Sequence, residues 1–292
     1  MQIRRPVVAG QFYPGQRDVC VEEIEACLKA HTITVSLPDT IVGAIVPHAG
    51  WTFSGALAAM VFSAVKQQHP EVLTFVIFGA AHGYYGDKPI IDDSDFWETP
   101  LGKVGLDEMV ADYLLANKLV VRNSLAHKGE HSIEVQVPFV QYLFPDERVQ
   151  ILPIIVPSDE QAVVLGEELG KMELHGDKKI VYIGSTDLTH YGPRYGFTPM
   201  GTGVDALEWA SKVNDKKFID LALKLDAQGL LASAAENYNA CGPGAAAAAV
   251  SVARKLGKKK GLLLAYTSSN EVMRQTMGTM SRDSVGYAAI AF

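Results

Sequence analysis

Six short apolar runs punctuate the chain, at 41–46, 73–78, 149–156, 180–183, 262–266 and 285–290. Most are β-branched and bounded by turn residues, the pattern of strands buried on both faces of a sheet. Between them, apolar residues recur at helical spacing. Segments 19–31 and 54–69 read this way, the second with Leu57, Val61 and Val65 on one face. Ser158 predicts the N-cap of a further helix, with Gln161 completing a capping box. Later helices are predicted over 204–225, 228–237 and 243–255, the last with Gly242 as its cap and Pro243 at its first position. Segment 92–99 and the residues after it predict an antiparallel excursion, and the terminal run predicts a strand that closes the sheet. Strand–helix alternation along the chain gives an α/β protein, with a mostly parallel or mixed central sheet and helices on both faces.

The alternation continues through all 292 residues with no low-complexity linker and no fixed-period repeat. A single domain, 1–292, is therefore expected, although the length alone would allow two. A composition 48% hydrophobic and 20% charged excludes a disordered or fibrous protein. The formal net charge of −7 argues against binding nucleic acid through its phosphates. No apolar run reaches the roughly 18–20 residues of a membrane span. Residues 1–15 lack the apolar core of an export signal. The expectation is a soluble, cytoplasmic protein with no membrane partner. Cys20 and Cys27 lie seven apart in a predicted helix, a rise of about 10 Å, too far for a disulfide. They are expected on its buried face.

Candidate chemistry gathers just past the strands. Run 41–46 leads into Pro47-His48-Ala49-Gly50-Trp51, and run 73–78 into Gly79-Ala80-Ala81-His82-Gly83. Run 180–183 leads into Gly184-Ser185-Thr186-Asp187-Leu188-Thr189-His190-Tyr191-Gly192. Three strands each deliver a histidine beyond the carboxyl end, where open α/β sheets bind ligands. Cys241 stands just before a predicted helix, whose N-terminus favours a thiolate. His48, His82 and Cys241 can thus form a metal-binding triad with positions left open. Asp187 and His190 can act as its outer support or as an acid/base pair, Asp187 orienting His190. His131, just before a helix, is a further acid/base candidate. His31, His69 and His175 are expected at the surface and His127 in a loop. The loose stretch 192–203 is expected as a long loop beside the site.

These residues fall in seven pieces: Ala9-Gly10-Gln11-Phe12-Tyr13, Pro47-His48-Ala49-Gly50, Phe78-Gly79 with His82, Thr99-Pro100-Leu101-Gly102, Glu130-His131-Ser132-Ile133-Glu134, Ser185 to Gly192, and Cys241-Gly242. In content and order they resemble the Memo family. The resemblance implies a fold shared with class III extradiol dioxygenases, enzymes that use non-heme iron(II). It implies His48, His82 and Cys241 as metal ligands, the cysteine standing where a carboxylate would be in those dioxygenases. It implies iron(II) first, with copper or zinc as alternatives, and radical-SAM and AMMECR-type proteins as partners. Gly83-Tyr84-Tyr85 and Phe12 depart from the animal pattern, so a peptide-binding role ascribed there is not carried over.

Three functions are compatible with this constellation. The first is a metal-dependent redox enzyme acting on a small, chelating substrate. The second is a metal-free hydrolase or transferase with Cys241 as nucleophile and His190 or His48 as base. The third is a binding or scaffold protein on a vestigial enzyme fold. Phe12, Trp51 and Tyr191 are the expected substrate-binding aromatics.

Overall fold

The computed structural model describes residues 2–30, 32–84, 86–174 and 179–292. His31, Tyr85 and His175 lie outside the described residues. In chain order the strands are β1 (Ile3–Arg4), β2 (Gly43–Val46), β3 (Thr74–Gly79), β4 (Ile90–Ile91), β5 (Phe96–Thr99) and β6 (Gly102–Leu106). They continue with β7 (Val121–Arg122), β8 (Gln150–Ile155), β9 (Ile180–Ser185), β10 (His190–Tyr191), β11 (Leu262–Ser268) and β12 (Ser284–Ala291). Among the described residues these form one mixed sheet. Its centre is parallel, in the spatial order β6, β8, β3, β9, β2. The terminal strand β12 then closes on β2 antiparallel and carries β10 and β11. The expected antiparallel excursion is the β5–β6 hairpin, Thr99 opposite Gly102.

Side chains alternate across the central strands with period two. Phe75, Ile77, Val181 and Ile183 enter one core, and Val76, Phe78, Ile180 and Tyr182 the other. Both faces are buried, which is why these strands read as unbroken apolar runs. Helices Arg17–Ala30, Trp51–Gln68 and Val137–Leu143 cover the first face. Cys20, Ile24 and Cys27 form the inner stripe of the first of these, and both thiols are free. Helices Glu160–Leu174, Lys216–Leu223, Ala227–Asn237 and Pro243–Lys255 cover the second face.

The Pro243–Lys255 helix matters most for the site. Ala245 to Ala249 are fully buried, so this helix is apolar all round. Its small side chains let it lie directly on β9: a Cβ at Gly184 would meet the Ala245 carbonyl at 2.7 Å. Gly242 caps it and Pro243 occupies its first turn, as expected. This close packing brings Cys241 to the carboxyl end of β9.

Three helical features depart from expectation in ways that shape the fold. The second helix starts at Trp51, not Ser54, because the Gly50 carbonyl already accepts from Phe53 and Ser54 N–H. The helix after β8 is held by Asp159, whose Oδ1 accepts from Gln161 N–H, so Ser158 is not its cap. Segment 204–225 is helical but contains a π turn, Ala210–Asp215, which turns Asn214 and Asp215 inward. Asp215 Oδ1 accepts from Thr189 N–H (2.8 Å), its Oδ2 accepts from the Tyr266 hydroxyl (2.7 Å), and Asn214 donates to Thr189 Oγ1 (3.0 Å). The π turn thus anchors the loop that carries His190.

Candidate metal centre

Because β2, β3 and β9 run parallel, the loops leaving them share one edge of the sheet. They bring His48, His82, Asp187 and His190 together, and Cys241 joins them from the helix on β9. One ligand atom each from His48, His82 and Cys241 lie within 4.8 Å of one another. The same holds for Asp187, His190 and Cys241, and for His82, Glu130 and His131. His48 Nε2 is 3.2 Å from Cys241 Sγ.

The hydrogen bonds behind the two rings decide which nitrogen is free. The Ser185 hydroxyl donates to the Ser132 carbonyl at 2.7 Å. Its proton is thereby committed, so it accepts from His48 Nδ1–H at 3.1 Å, and His48 Nε2 is left bare. For His82, Nδ1–H donates to Glu130 Oε1 at 3.1 Å, again leaving Nε2 bare. Glu130 Oε1 also accepts from Ser132 N–H at 2.7 Å and Oε2 from His82 N–H at 3.2 Å. Burial opposes ionisation of Glu130, but the bonds from His82 and Ser132 outweigh it and hold its carboxyl well below the usual range. Burial lowers and Glu130 raises the His82 ring, with a net upward shift. Burial drives His48, 2% exposed, well below the ordinary histidine value.

Cys241 departs from expectation. Burial pushes its thiol up, with Asp187 adding to the shift, rather than the helix end pulling it down. Its N–H donates to the Asp187 carbonyl at 3.2 Å, and Gly242 N–H donates to Thr186 Oγ1 at 2.9 Å. These bonds tie the cysteine turn to the β9 loop. Asp187 does not orient His190. Its Oδ1 accepts from His48 N–H at 2.7 Å, and burial raises its carboxyl to about 7. His190 Nε2 is buried without a partner, and burial, then the nearby His82, lowers the ring to about 4. His131 stacks on His82 (centroids 4.9 Å apart, 6° between planes), with Phe12 on it at 4.7 Å.

A cleft of about 520 Å³ opens over these groups, a size suited to a small molecule. Phe12 lines it; Trp51 and Tyr191 do not. Trp51 is a core residue, 4% exposed, packed on Phe139 with its indole N–H donating to the Val135 carbonyl at 3.0 Å. Tyr191 is fully buried on the far side of its short strand, against Phe197 and Trp209, its hydroxyl donating to the Gly201 carbonyl. The aromatic walls are instead Phe53, Tyr195 and Tyr287, with Arg194 and Asp283 also lining the cleft. Residues 192–203 contribute only Arg194 and Tyr195 to that lining. His127 is buried in the short helix Ser124–His127, bonded to the Ile90 carbonyl, and His69 is a half-buried helix end. The missed support Glu130 had one signal, a carboxylate beside His131. Tyr195 and Tyr287 had none, because the sequence does not show which way a side chain near a strand end points.

Fold and site together define an α/β protein with a two-histidine, one-cysteine cluster at the carboxyl edge of its sheet. The model of Memo-like proteins matches residues 4–291, and the chain belongs to that family. It is 38% identical to a MEMO1 family protein of Thermococcus onnurineus and 36% identical to one of Methanococcoides burtonii, over 99% of each chain in both cases. A MEMO1 family protein of Pyrococcus furiosus is 35% identical, over 99% of this chain and 98% of its own. Among the described residues no helix is long and apolar enough to cross a membrane.

Proposed function

We propose that the protein is a metal-dependent redox enzyme for a small, chelating substrate, related in chemistry to the class III extradiol dioxygenases. The observation that carries this reading is the convergence of two imidazole nitrogens and one thiol within 4.8 Å, with both imidazoles lining a cleft. The donor set fits a metal: both rings already present a lone pair, and a deprotonated cysteine adds a soft anionic ligand suited to iron, copper or zinc. His48 Nε2, His82 Nε2 and Cys241 Sγ would hold the ion, iron(II) first and copper or zinc as alternatives. Iron or copper would supply a redox-active Lewis acid, and zinc a Lewis acid alone.

The protein groups divide the remaining work. His190 lines the cleft and is the imidazole we assign to receive the proton of a substrate hydroxyl. His131, stacked on His82 with Phe12 tilted against it, offers a second imidazole lining the cleft. Asp187 fixes the His48 backbone and can hold a proton near neutral pH. Phe12, Phe53, Tyr195 and Tyr287 exclude water around the substrate.

The 3.2 Å contact between Cys241 Sγ and His48 Nε2 would also serve a thiol nucleophile and its base. Burial that holds the thiol above its ordinary value runs against that reading. Anaerobic purification followed by elemental analysis separates the two. Metal is expected in the wild-type protein and lost in His48→Ala and Cys241→Ser. Negligible metal in the wild type, or full retention in both variants, overturns the proposal.

A further inference from the structure

Both candidate histidine ligands are set by one segment that supplies neither. Along 130–136, the alternate side chains of Glu130, Ser132, Glu134 and Gln136 are all 5% exposed or less. Each reaches a different part of the chain. Glu130 binds the His82 ring and backbone. Ser132 Oγ accepts from Ala80 N–H at 3.0 Å, two residues before His82. The Ser132 carbonyl accepts from the Ser185 hydroxyl. Gln136 donates to the Pro47 carbonyl at 2.8 Å, one residue before His48, and to Ser185 Oγ at 3.3 Å. Glu134 binds the N-terminal arm that carries Phe12 to the cleft.

The segment also sits against the sheet with no space to spare. A Cβ at Gly79, the last residue of β3, would meet Ile133 Cγ1 at 2.5 Å and Ser132 Oγ at 2.8 Å. The glycine is what allows this contact.

Two donors, Gln136 and His48, point at Ser185 Oγ, whose single proton goes to Ser132. An ionised carboxylate on Glu130 can only accept. Each arrangement permits one tautomer alone, with the proton on Nδ1. We infer that segment 130–136 is a tautomer template, and that Glu130 and Ser185 are positioning residues that hold His48 and His82 with Nε2 bare toward a common point. The inference deepens the metal-centre reading and rests on it for its purpose, though not for its test.

The test is a long-range ¹H–¹⁵N spectrum of metal-free protein with labelled histidines at pH 8, where neutral tautomers are distinguishable. His48 and His82 are expected with Nδ1 protonated and Nε2 bare. Ser185→Ala is expected to move His48 toward the Nε2–H form while leaving His82 unchanged, and Glu130→Ala to do the converse. Each variant should also bind cobalt(II) about 10–100-fold more weakly in chelator competition, the usual cost of losing such support. Should a variant fail to fold, the wild-type spectrum alone decides. An Nε2–H proton on either ring of the wild type, or an unmoved tautomer in a folded variant, overturns the template. If the tautomers are as expected but His48→Ala binds cobalt(II) as well as wild type, the template stands and the metal-centre reading falls.

Discussion

Replacing Glu134 by Gln should cost more than almost any other change of equal volume. The Glu134 carboxylate is fully buried and receives four groups: Arg4 Nη1 at 2.8 Å, Val7 N–H and Val8 N–H at 2.9 Å, and the Tyr13 hydroxyl at 3.0 Å. Arg4 is itself 8% exposed, lies 4.0 Å over the Trp97 ring, and donates to the His127 and Glu130 carbonyls. Glutamine keeps the shape but removes the charge and turns one acceptor into a donor facing other donors. Breaking a buried ion pair from one side costs about 3–5 kcal/mol, and a single orphaned donor about 1–3 kcal/mol. The expected loss is therefore about 3–5 kcal/mol. Arg4→Met is the companion variant. It breaks the same ion pair from the other side and strips the His127 and Glu130 carbonyls of their donor, so its loss should also be about 3–5 kcal/mol. Equilibrium urea unfolding measures both, read as a shift of midpoint at unchanged slope. A Glu134→Gln loss below about 1 kcal/mol would refute the assignment of this carboxylate as the anchor of the N-terminal arm.

Asp215 is buried and its carboxyl is raised to about 7 by burial, so the folded state holds a proton that the unfolded chain releases nearer pH 4. Its contribution is complete below pH 4 and disappears as pH rises toward 7. Asp215→Asn should therefore gain on wild type by on the order of 2–4 kcal/mol between pH 4 and 8; a constant difference across that range in urea unfolding would contradict this. Trp51→Ala should destabilise by about 3–5 kcal/mol as a core truncation. Phe12→Ala should cost about 1–2 kcal/mol yet weaken 4-nitrocatechol binding to the metal-loaded protein, read by its visible absorption, by up to about tenfold. The reverse ranking would place Trp51 in the cleft and Phe12 in the core.

The contrast between Trp51 and Phe12 shows where the sequence stops being legible. Strands β3, β8 and β9 are readable because both their faces are buried, and that leaves a continuous apolar run. The histidines were readable for the same reason. Parallel strands end at one edge, so any polar residue just past each end falls near the others whatever the loops do. An aromatic residue beside such an end carries no comparable constraint. Trp51 opens a helix, and which side of that helix meets Phe139 depends on how the helix rests on the sheet. Tyr191 lies one residue from His190 on a two-residue strand, so it points to the opposite face.

Segment 130–136 was hidden for a different reason. Its alternating Glu, Ser, Glu and Gln have the composition of an exposed turn, and their burial is offset chiefly by partners 48 to 130 residues away in sequence. A loop rich in polar residues reads as solvated until its partners are placed, because the same side chains satisfy water equally well. Residues 130–134 carry part of the family resemblance, but only His131 carries candidate chemistry by residue type and position. The wall formed by Phe12 hangs on Glu134, and the ring of His82 hangs on Glu130, four residues earlier in the same short segment. Arg4 binds both ends of it, through the Glu134 carboxylate and the Glu130 carbonyl. Loss of Arg4 therefore reaches both ends of the segment, and Arg4→Met and Glu134→Gln, which remove the same ion pair, should be non-additive in stability.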